Sequence, residues 1–403
     1  MRKRRPARSN QSQKTPSPTA AGEIRLNDEF AGTVRDVSAK GSGVVEHPRG
    51  RVFFVPGVWI DEQGIFRVTG LKGRSGHARL DRLTAPSPHR VAPGCTHHGQ
   101  GPEDCGGCPW QFMDYAAQCQ AKETRVRAAM DALGAGAAVK PLWPSPQVYG
   151  YRNRAQLKTD GSRLGYVAAA SNRLVPVIDC PILTRPNRST LQDLLGRLPE
   201  SDWKPERGKP WTRLDIDEDV AADAVVPNQR RPFRQGNTAQ NTRMQAWLAT
   251  TLENSDRAAP ILELFAGDGN FTGVLAGLGF SSIIALDSAP QTIAALADKQ
   301  LPGVSADVCD LYAEGAYTGL KTTLKAARIL LLDPPRDGVR HIDSLLSQAR
   351  QLQRVLYISC DLATFTRDIS QFLNSGFQLE EVQPLDQFPH TPHIELLGSL
   401  TRR

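Results

Sequence analysis

The sequence predicts a multi-domain protein: a small N-terminal β-barrel, a central α+β domain carrying a cysteine set, and a C-terminal Rossmann-like α/β domain. Three observations lead there. The chain has 403 residues, more than one ordinary core accommodates. Its first half joins short glycine-punctuated strands to a close Cys-x-x-Cys pair, and its second half repeats strand, turn and helix. The repeats culminate in V-L-Y-I-S-C-D at 355–361, a short β-forming run that ends on Cys360 just before a helix-like segment. Open α/β sheets bind ligands at the carboxyl ends of their strands, which is where Cys360 falls. Position alone also fits a buried structural thiol; the neighbouring motifs decide against it.

Composition narrows the function classes. A hydrophobic fraction of 40% and a charged fraction of 23% describe a globular protein, and no apolar run reaches membrane-spanning length. The net charge of +7 suits a polyanionic partner. Seven cysteines, an odd number with no secretory signal before them, imply a reducing, cytoplasmic setting with thiols used for metal or catalysis.

In chain order, residues 1–22 open with Arg2-Lys3-Arg4-Arg5, continue in Ser, Gln, Pro and Thr, and read as a disordered basic tail. Such a tail either binds phosphates or solubilises. Residues 23–84 carry strand signals at 23–25, 30–37, 43–46, 51–55, 64–71 and 75–83, the pattern of a small barrel. Its arginines and lysines fit an oligonucleotide or a merely solvated basic surface.

A linker at 86–94 leads into the central domain, 90–225. Cys95, Cys105 and Cys108 lie close in sequence, and Cys180 in I-D-C-P-I is the natural fourth thiolate. Four thiolates suit tetrahedral zinc or an iron–sulfur cluster, with His97 and His98 as substitutes if zinc is the metal. Cys119, inside a helical run at 115–130, reads as a packed core residue. Y-G-Y-R-N-R-A-Q-L-K at 149–158 interleaves aromatic and basic groups, which suits RNA or a plain strand with a basic outer face.

The C-terminal domain, 226–403, begins with F-R-Q-G-N before a helix at 238–252. A strand at 260–265 then runs into A-G-D-G-N, a turn whose glycines let backbone approach a ligand. The next strand ends on Asp287, where a carboxylate can take both ribose hydroxyls of an adenosine ligand. A third strand reaches Asp307. The fourth ends in Asp333-Pro334-Pro335-Arg336, where the prolines fix the backbone so that Asp333 faces the cleft. Glu395 follows F-P-H-T-P-H-I, a setting that desolvates a carboxylate and suits a base.

Together L-F-A-G-D-G-N-F-T, L-D-P-P-R, S-C-D-L-A-T-F-T-R-D and H-I-E-L resemble the uracil-5 RNA methyltransferases, and the cysteine set resembles the 4Fe–4S domain of the branch acting on 23S ribosomal RNA. The barrel is similar to that family's RNA-binding TRAM barrel. The resemblance implies a class I methyltransferase domain, S-adenosylmethionine as cofactor, a 4Fe–4S cluster on Cys95, Cys105, Cys108 and Cys180, and RNA as partner. It implies Cys360 as nucleophile, Glu395 as base, and Gln235, Phe265, Asn270, Asp287, Asp307 and Asp333 as cofactor-holding residues. Transfer RNA remains an alternative substrate. A cytosine-5 enzyme is disfavoured because Ser359, not proline, precedes Cys360, and a noncatalytic RNA-binding protein would not need Cys360, Asp333 and Glu395 intact. A radical enzyme would need a C-x3-C-x2-C run, which is absent.

Overall fold

The computed structural model describes residues 23–169 and 171–402; the 1–22 segment read above as a tail lies outside the described residues. Strands β1 (Glu29–Val37), β2 (Gly43–Glu46), β3 (Val52–Val55), β4 (Gln63–Lys72) and β5 (Ser75–Ala85) close a barrel in the order β1-β2-β3-β5-β4. Alternation places Val34, Val45, Phe53, Val55, Phe66 and Val68 inside, all fully buried. Residues 23–25, read above as a strand, lie outside it. The barrel is anchored to the next segment through the buried Glu62 carboxylate. It accepts from Trp59 N (2.8 Å), Ser87 N (3.0 Å) and the Arg90 guanidinium (2.5 and 2.8 Å).

The next region contains α1 (Tyr115–Asp131), β6 (Arg154–Thr159), β7 (Leu164–Val167), β8 (Leu174–Pro176), α2 (Arg185–Gly196) and β9 (Thr212–Asp217). Its antiparallel sheet has the order β8-β7-β6-β9. One face packs Leu157, Leu214 and Ile216 against Leu191, Leu194 and Trp203. Helix α1 starts at Asp114, whose side chain caps Ala117 N. It buries Val126 and Met130 in the core of the following domain, together with Val139 and Leu142. Val139 and Trp143 bridge in parallel to Val382 and Leu385, so this stretch extends the C-terminal sheet by a short edge.

That domain comprises α3 (Thr238–Thr251), β10 (Ile261–Leu264), α4 (Thr272–Gly277), β11 (Ile283–Asp287), α5 (Pro290–Asp298), β12 (Val304–Val308), α6 (Ala316–Gly319), α7 (Lys321–Ala326), β13 (Ile329–Leu332), α8 (Ile342–Gln348), β14 (Arg354–Ser359), α9 (Leu362–Asn374), β15 (Gln378–Leu385) and β16 (Glu395–Thr401). Its seven strands run β12-β11-β10-β13-β14-β16-β15. The five from β10 to β14 are parallel; β16 is antiparallel to both β14 and β15. Strands β10 and β13 are buried at every position, as parallel strands covered by helices on both faces must be. Chain order reverses between β10 and β13, so the switch-point crevice opens at their carboxyl ends. The last strand inserts between β14 and β15, pairing Leu396 with Ser359. Among the described residues no helix is long and apolar enough to cross a membrane.

Candidate active site

The crevice is lined by strand ends. After β10 the backbone turns sharply: Phe265 adopts φ +65°, Gly267 +56° and Gly269 +90°. A left-handed conformation is ordinary for glycine but costs a bulky aromatic residue on the order of 1–3 kcal/mol, and such strain concentrates at ligand sites. A Cβ at Gly269 would lie 2.4 Å from Leu296 Cδ1, so a side chain there forces that leucine to shift in addition to the left-handed backbone. The turn is tied down by Asp287 at the end of β11, whose two oxygens accept from Gly267 N and Ala289 N, each at 3.0 Å. Each oxygen keeps a lone pair for a further donor.

Asn270, in the same turn, exchanges two 2.9 Å amide hydrogen bonds with Asn241 of α3, and Gln245 Nε2 also donates to it. The Phe265 ring packs 5.7 Å from that of Tyr312. Gln235 is buried, and its Oε1 accepts from Gln387 Nε2 at 3.0 Å. Asp307 lies apart: it is exposed on edge strand β12 and takes only a 3.4 Å contact from Ser305 Oγ.

Cys360, Glu395, Asp333 and Arg336 form the other half of the crevice. Cys360 leaves β14 and is followed by Asp361, which caps α9 by accepting from Ala363 N and Thr364 N. Glu395 opens β16, one pair beyond Leu396–Ser359, and is buried. Asp333 leaves β13, its N–H held by the Leu264 carbonyl.

The electrostatics follow from crowding acids in a poorly hydrated place. Burial, then the Glu395 charge, push the Cys360 thiol up to about 12, against the pull of Arg336. Burial and then Asp333 raise Glu395 to about 8, again opposed by Arg336. Burial and then Asp287 raise Asp333 to about 7. Beneath the turn, buried Glu263 is raised to about 8 mainly by burial, while Thr272 Oγ1 donates to it at 2.6 Å. Arg336 was visible in the D-P-P-R run, yet its influence on both the Cys360 thiol and the Glu395 carboxylate was not. Asn241, Tyr312 and Gln387 carried no local signal at all.

Cys95, Cys105, Cys108 and Cys180 line one cavity in the central region. Burial pushes Cys105 up to about 11 and Cys108 to about 12, and the sulfurs reinforce one another: Cys180 and Cys95 act on Cys105, Cys180 and Cys105 on Cys108, Cys95 on Cys180. His97 Nε2 accepts from Ile178 N, and His98 Nδ1 donates to the Cys108 carbonyl, so each histidine has a ring nitrogen engaged by backbone. Among the described residues no three His, Cys, Asp or Glu side chains form a ligand group for a metal ion. Cys119 packs against the C-terminal core instead.

Comparison with known proteins gives a consistent result. A family model described as tRNA (Uracil-5-)-methyltransferase matches residues 318–403. An uncharacterized RNA methyltransferase of Nitrosomonas europaea is 42% identical over 381 residues, covering 93% of this chain and 97% of its own. A 23S rRNA (uracil(1939)-C(5))-methyltransferase of Vibrio cholerae is 28% identical, covering 92% and 95%. The crystal structure of a Pyrococcus abyssi tRNA (uracil-54, C5)-methyltransferase in complex with S-adenosyl-L-homocysteine superposes with a TM-score of 0.67 at 22% identity, over 92% of this chain and 99% of that one, which is the same fold.

Proposed function

The chain belongs to the uracil-5 RNA methyltransferases, and from that premise we propose that it methylates carbon 5 of a uridine in RNA, 23S ribosomal RNA first, with S-adenosylmethionine as donor. The observation that carries the reading is the pairing of β14 with β16, which sets Cys360 and Glu395 beside each other at the crevice with Asp333 and Arg336. The donor supplies an electrophilic methyl on a cationic sulfonium. A crevice whose acids repel one another favours a cation, and the Gly267–Gly269 turn leaves backbone open to it. Asp287 has lone pairs for ribose hydroxyls; Phe265, Asn270, Gln235 and Asp333 border the same space. Asp307, on its exposed edge, is the least supported of the proposed contacts.

Uracil carbon 5 is a weak nucleophile. The Cys360 thiol gives up its proton to solvent, its sulfur adds to carbon 6 and forms a C–S bond, and the ring's electron pair moves toward the carbonyl as an enolate. Carbon 5 then takes the methyl group as that group's bond to the sulfonium breaks, the electron pair staying on sulfur to leave S-adenosylhomocysteine. Glu395 removes the carbon 5 proton, and the electron pair left behind expels the Cys360 sulfur. A carboxylate raised to about 8 is close to the working pH, where a general base is most effective. Arg336 is the cation available to stabilise the Cys360 thiolate. The base must leave its stack to reach this depth.

Transfer RNA is the second reading, favoured by the family description and by the Pyrococcus fold match. Incubating purified protein with S-adenosylmethionine and transcripts of each RNA, then digesting to nucleosides, tests both. We expect 5-methyluridine in 23S RNA; 5-methylcytidine, or no product with either transcript, overturns the proposal.

For the cysteine pocket the proposed group is a 4Fe–4S cluster. Four partly buried thiols around one cavity suit iron, whose charge would stabilise their thiolate forms. Each cluster thiolate binds its own iron, whereas tetrahedral zinc draws four sulfurs to about 2.3 Å from one point. Iron and sulfide analysis of anaerobically purified protein decides it; stoichiometric zinc without sulfide overturns the cluster.

A further inference from the structure

The outer face of the central sheet is not used by any step above. Strands β6 and β9 are in register so that Lys158 stands directly opposite Arg213. Like charges paired across an antiparallel ladder oppose folding unless something offsets them. Among the described residues neither is salt-bridged; Lys158 Nζ donates to Gln156 Oε1 at 2.5 Å and sits 5.7 Å from the Trp211 ring centre. Burial and then Arg213 lower the Lys158 ammonium below its usual range. Acidic residues farther along the same face are already engaged: Asp215 by Arg154 and Gln156, Asp217 by Arg234.

The face is concave on both sides of this pair. One open cleft of about 600 Å³ runs from Gln156 and Lys158 to Gly106 and Gly107 of the cysteine loop. A second of about 520 Å³ runs from the same two residues to Lys209, Trp211 and Arg213. Glu206 is the one acidic residue lining the second cleft, against Lys158, Lys209 and Arg213. At its other end β6 begins beside Gln235, one of the proposed donor contacts. Asn153 Nδ2 donates to the Gln235 carbonyl, and the Arg152 guanidinium lies 5.4 Å over the Phe388 ring. At about 3.3 Å per residue, Lys158 is therefore roughly 17 Å along the strand from Asn153.

We infer that this face is a single-stranded RNA track: Lys158 and Arg213 take backbone phosphates of the strand flanking the target uridine, and a base stacks on Trp211. The pairing that is unfavourable in the free protein becomes favourable around a phosphate, and an aromatic ring beside two cations is the composition that holds single strands. The inference rests on the RNA reading above and extends it to the flanking strand.

The test measures binding of a long single-stranded oligouridylate across a salt series, for the wild type, K158A/R213A and W211A, with the conservative K158R/R213K as a folding control. We expect K158A/R213A to weaken binding at least tenfold at low salt and to flatten the log–log salt slope by about 1.4, at roughly 0.7 per phosphate released. W211A should weaken binding about fivefold or more at an unchanged slope, and K158R/R213K should stay near wild type. Equal affinity and slope for wild type and K158A/R213A overturn the track. A parallel methylation assay separates the two levels. If the wild type methylates no RNA, the activity reading fails while the salt slopes still decide the surface; if it methylates normally and the slopes coincide, only the track fails.

Discussion

The methylation crevice and the cysteine pocket gather reactive side chains by different means. In the crevice, Cys360, Asp333 and Phe265 come from the ends of buried parallel strands, and Glu395 from the strand paired beside them. Their spacing is set by a hydrogen-bonded ladder and two helix-covered cores. In the pocket, three of the four thiols come from a loop and the fourth from the turn after β8. Strand ends are positioned before any ligand arrives; loop thiols have no multi-residue ladder to set their spacing. The crevice is thus a preformed site, and the pocket is one that its proposed metal completes.

The largest effect expected is on the proposed nucleophile. Cys360→Ala should reduce methylation to background while leaving methyl-donor binding intact, because the donor's proposed contacts lie on other strand ends. Turnover retained in Cys360→Ala would remove the covalent step from the account. Glu395→Gln should lower turnover by roughly 10²–10⁴-fold and let a covalent protein–RNA adduct accumulate on denaturing gels. Unchanged turnover with no adduct excludes Glu395 as the base.

Breaking the pocket separates the two regions. Cys108→Ser should deplete iron and sulfide and lower the melting temperature, yet leave S-adenosylmethionine binding within a few-fold of wild type. A parallel loss of donor binding would mean that the crevice is not preformed.

The acids of the crevice predict a pH dependence with a definite sign. Glu395 and Glu263 are raised from 4.5 to about 8, and Asp333 from 3.8 to about 7. The folded state therefore keeps protons that the unfolded chain has released. Their stabilisation is complete below pH 4 and is lost as pH climbs through 7 and 8. It changes by at most about 1.4 kcal/mol per pH unit for each group. Urea titrations of the ligand-free protein should show this decline, and Glu395→Gln should remove one group's share. A flat profile contradicts the burial described. Smaller again is Gly269→Ala, where the left-handed backbone and the Leu296 contact should cost about 1–3 kcal/mol, read as a lower denaturation midpoint and weaker donor binding.

How much of this was legible follows the same division. Strand ends announce themselves, because a β-forming run, a turn residue and a helix start lie within a dozen positions of one another. Cys360, Asp333 and Asp287 were found that way. What pairs with what was not legible. Simple succession would set β15 beside β14 with β16 at the sheet edge, yet β16 enters between β14 and β15. Only that insertion brings Glu395 to Cys360.

Helix α1 reads as part of the central region but sinks Val126 and Met130 into the C-terminal core. Its Lys122 forms a fully buried ion pair with Asp386 at 2.6 Å. Contacts between residues so far apart in the chain leave no periodic trace in either segment. The cysteine set was legible from spacing alone, since its residues need only reach one cavity.

Cys360 is the proposed nucleophile for methylation of uridine carbon 5 in RNA. Nucleoside mass spectrometry of ribosomal and transfer RNA, digested separately from a strain lacking this gene, tests it most directly, with wild type and Cys360→Ala returned in turn. 5-Methyluridine should disappear from 23S ribosomal RNA, return with the wild type and stay absent with Cys360→Ala. Undiminished 5-methyluridine in both fractions, or its return with Cys360→Ala, would contradict it.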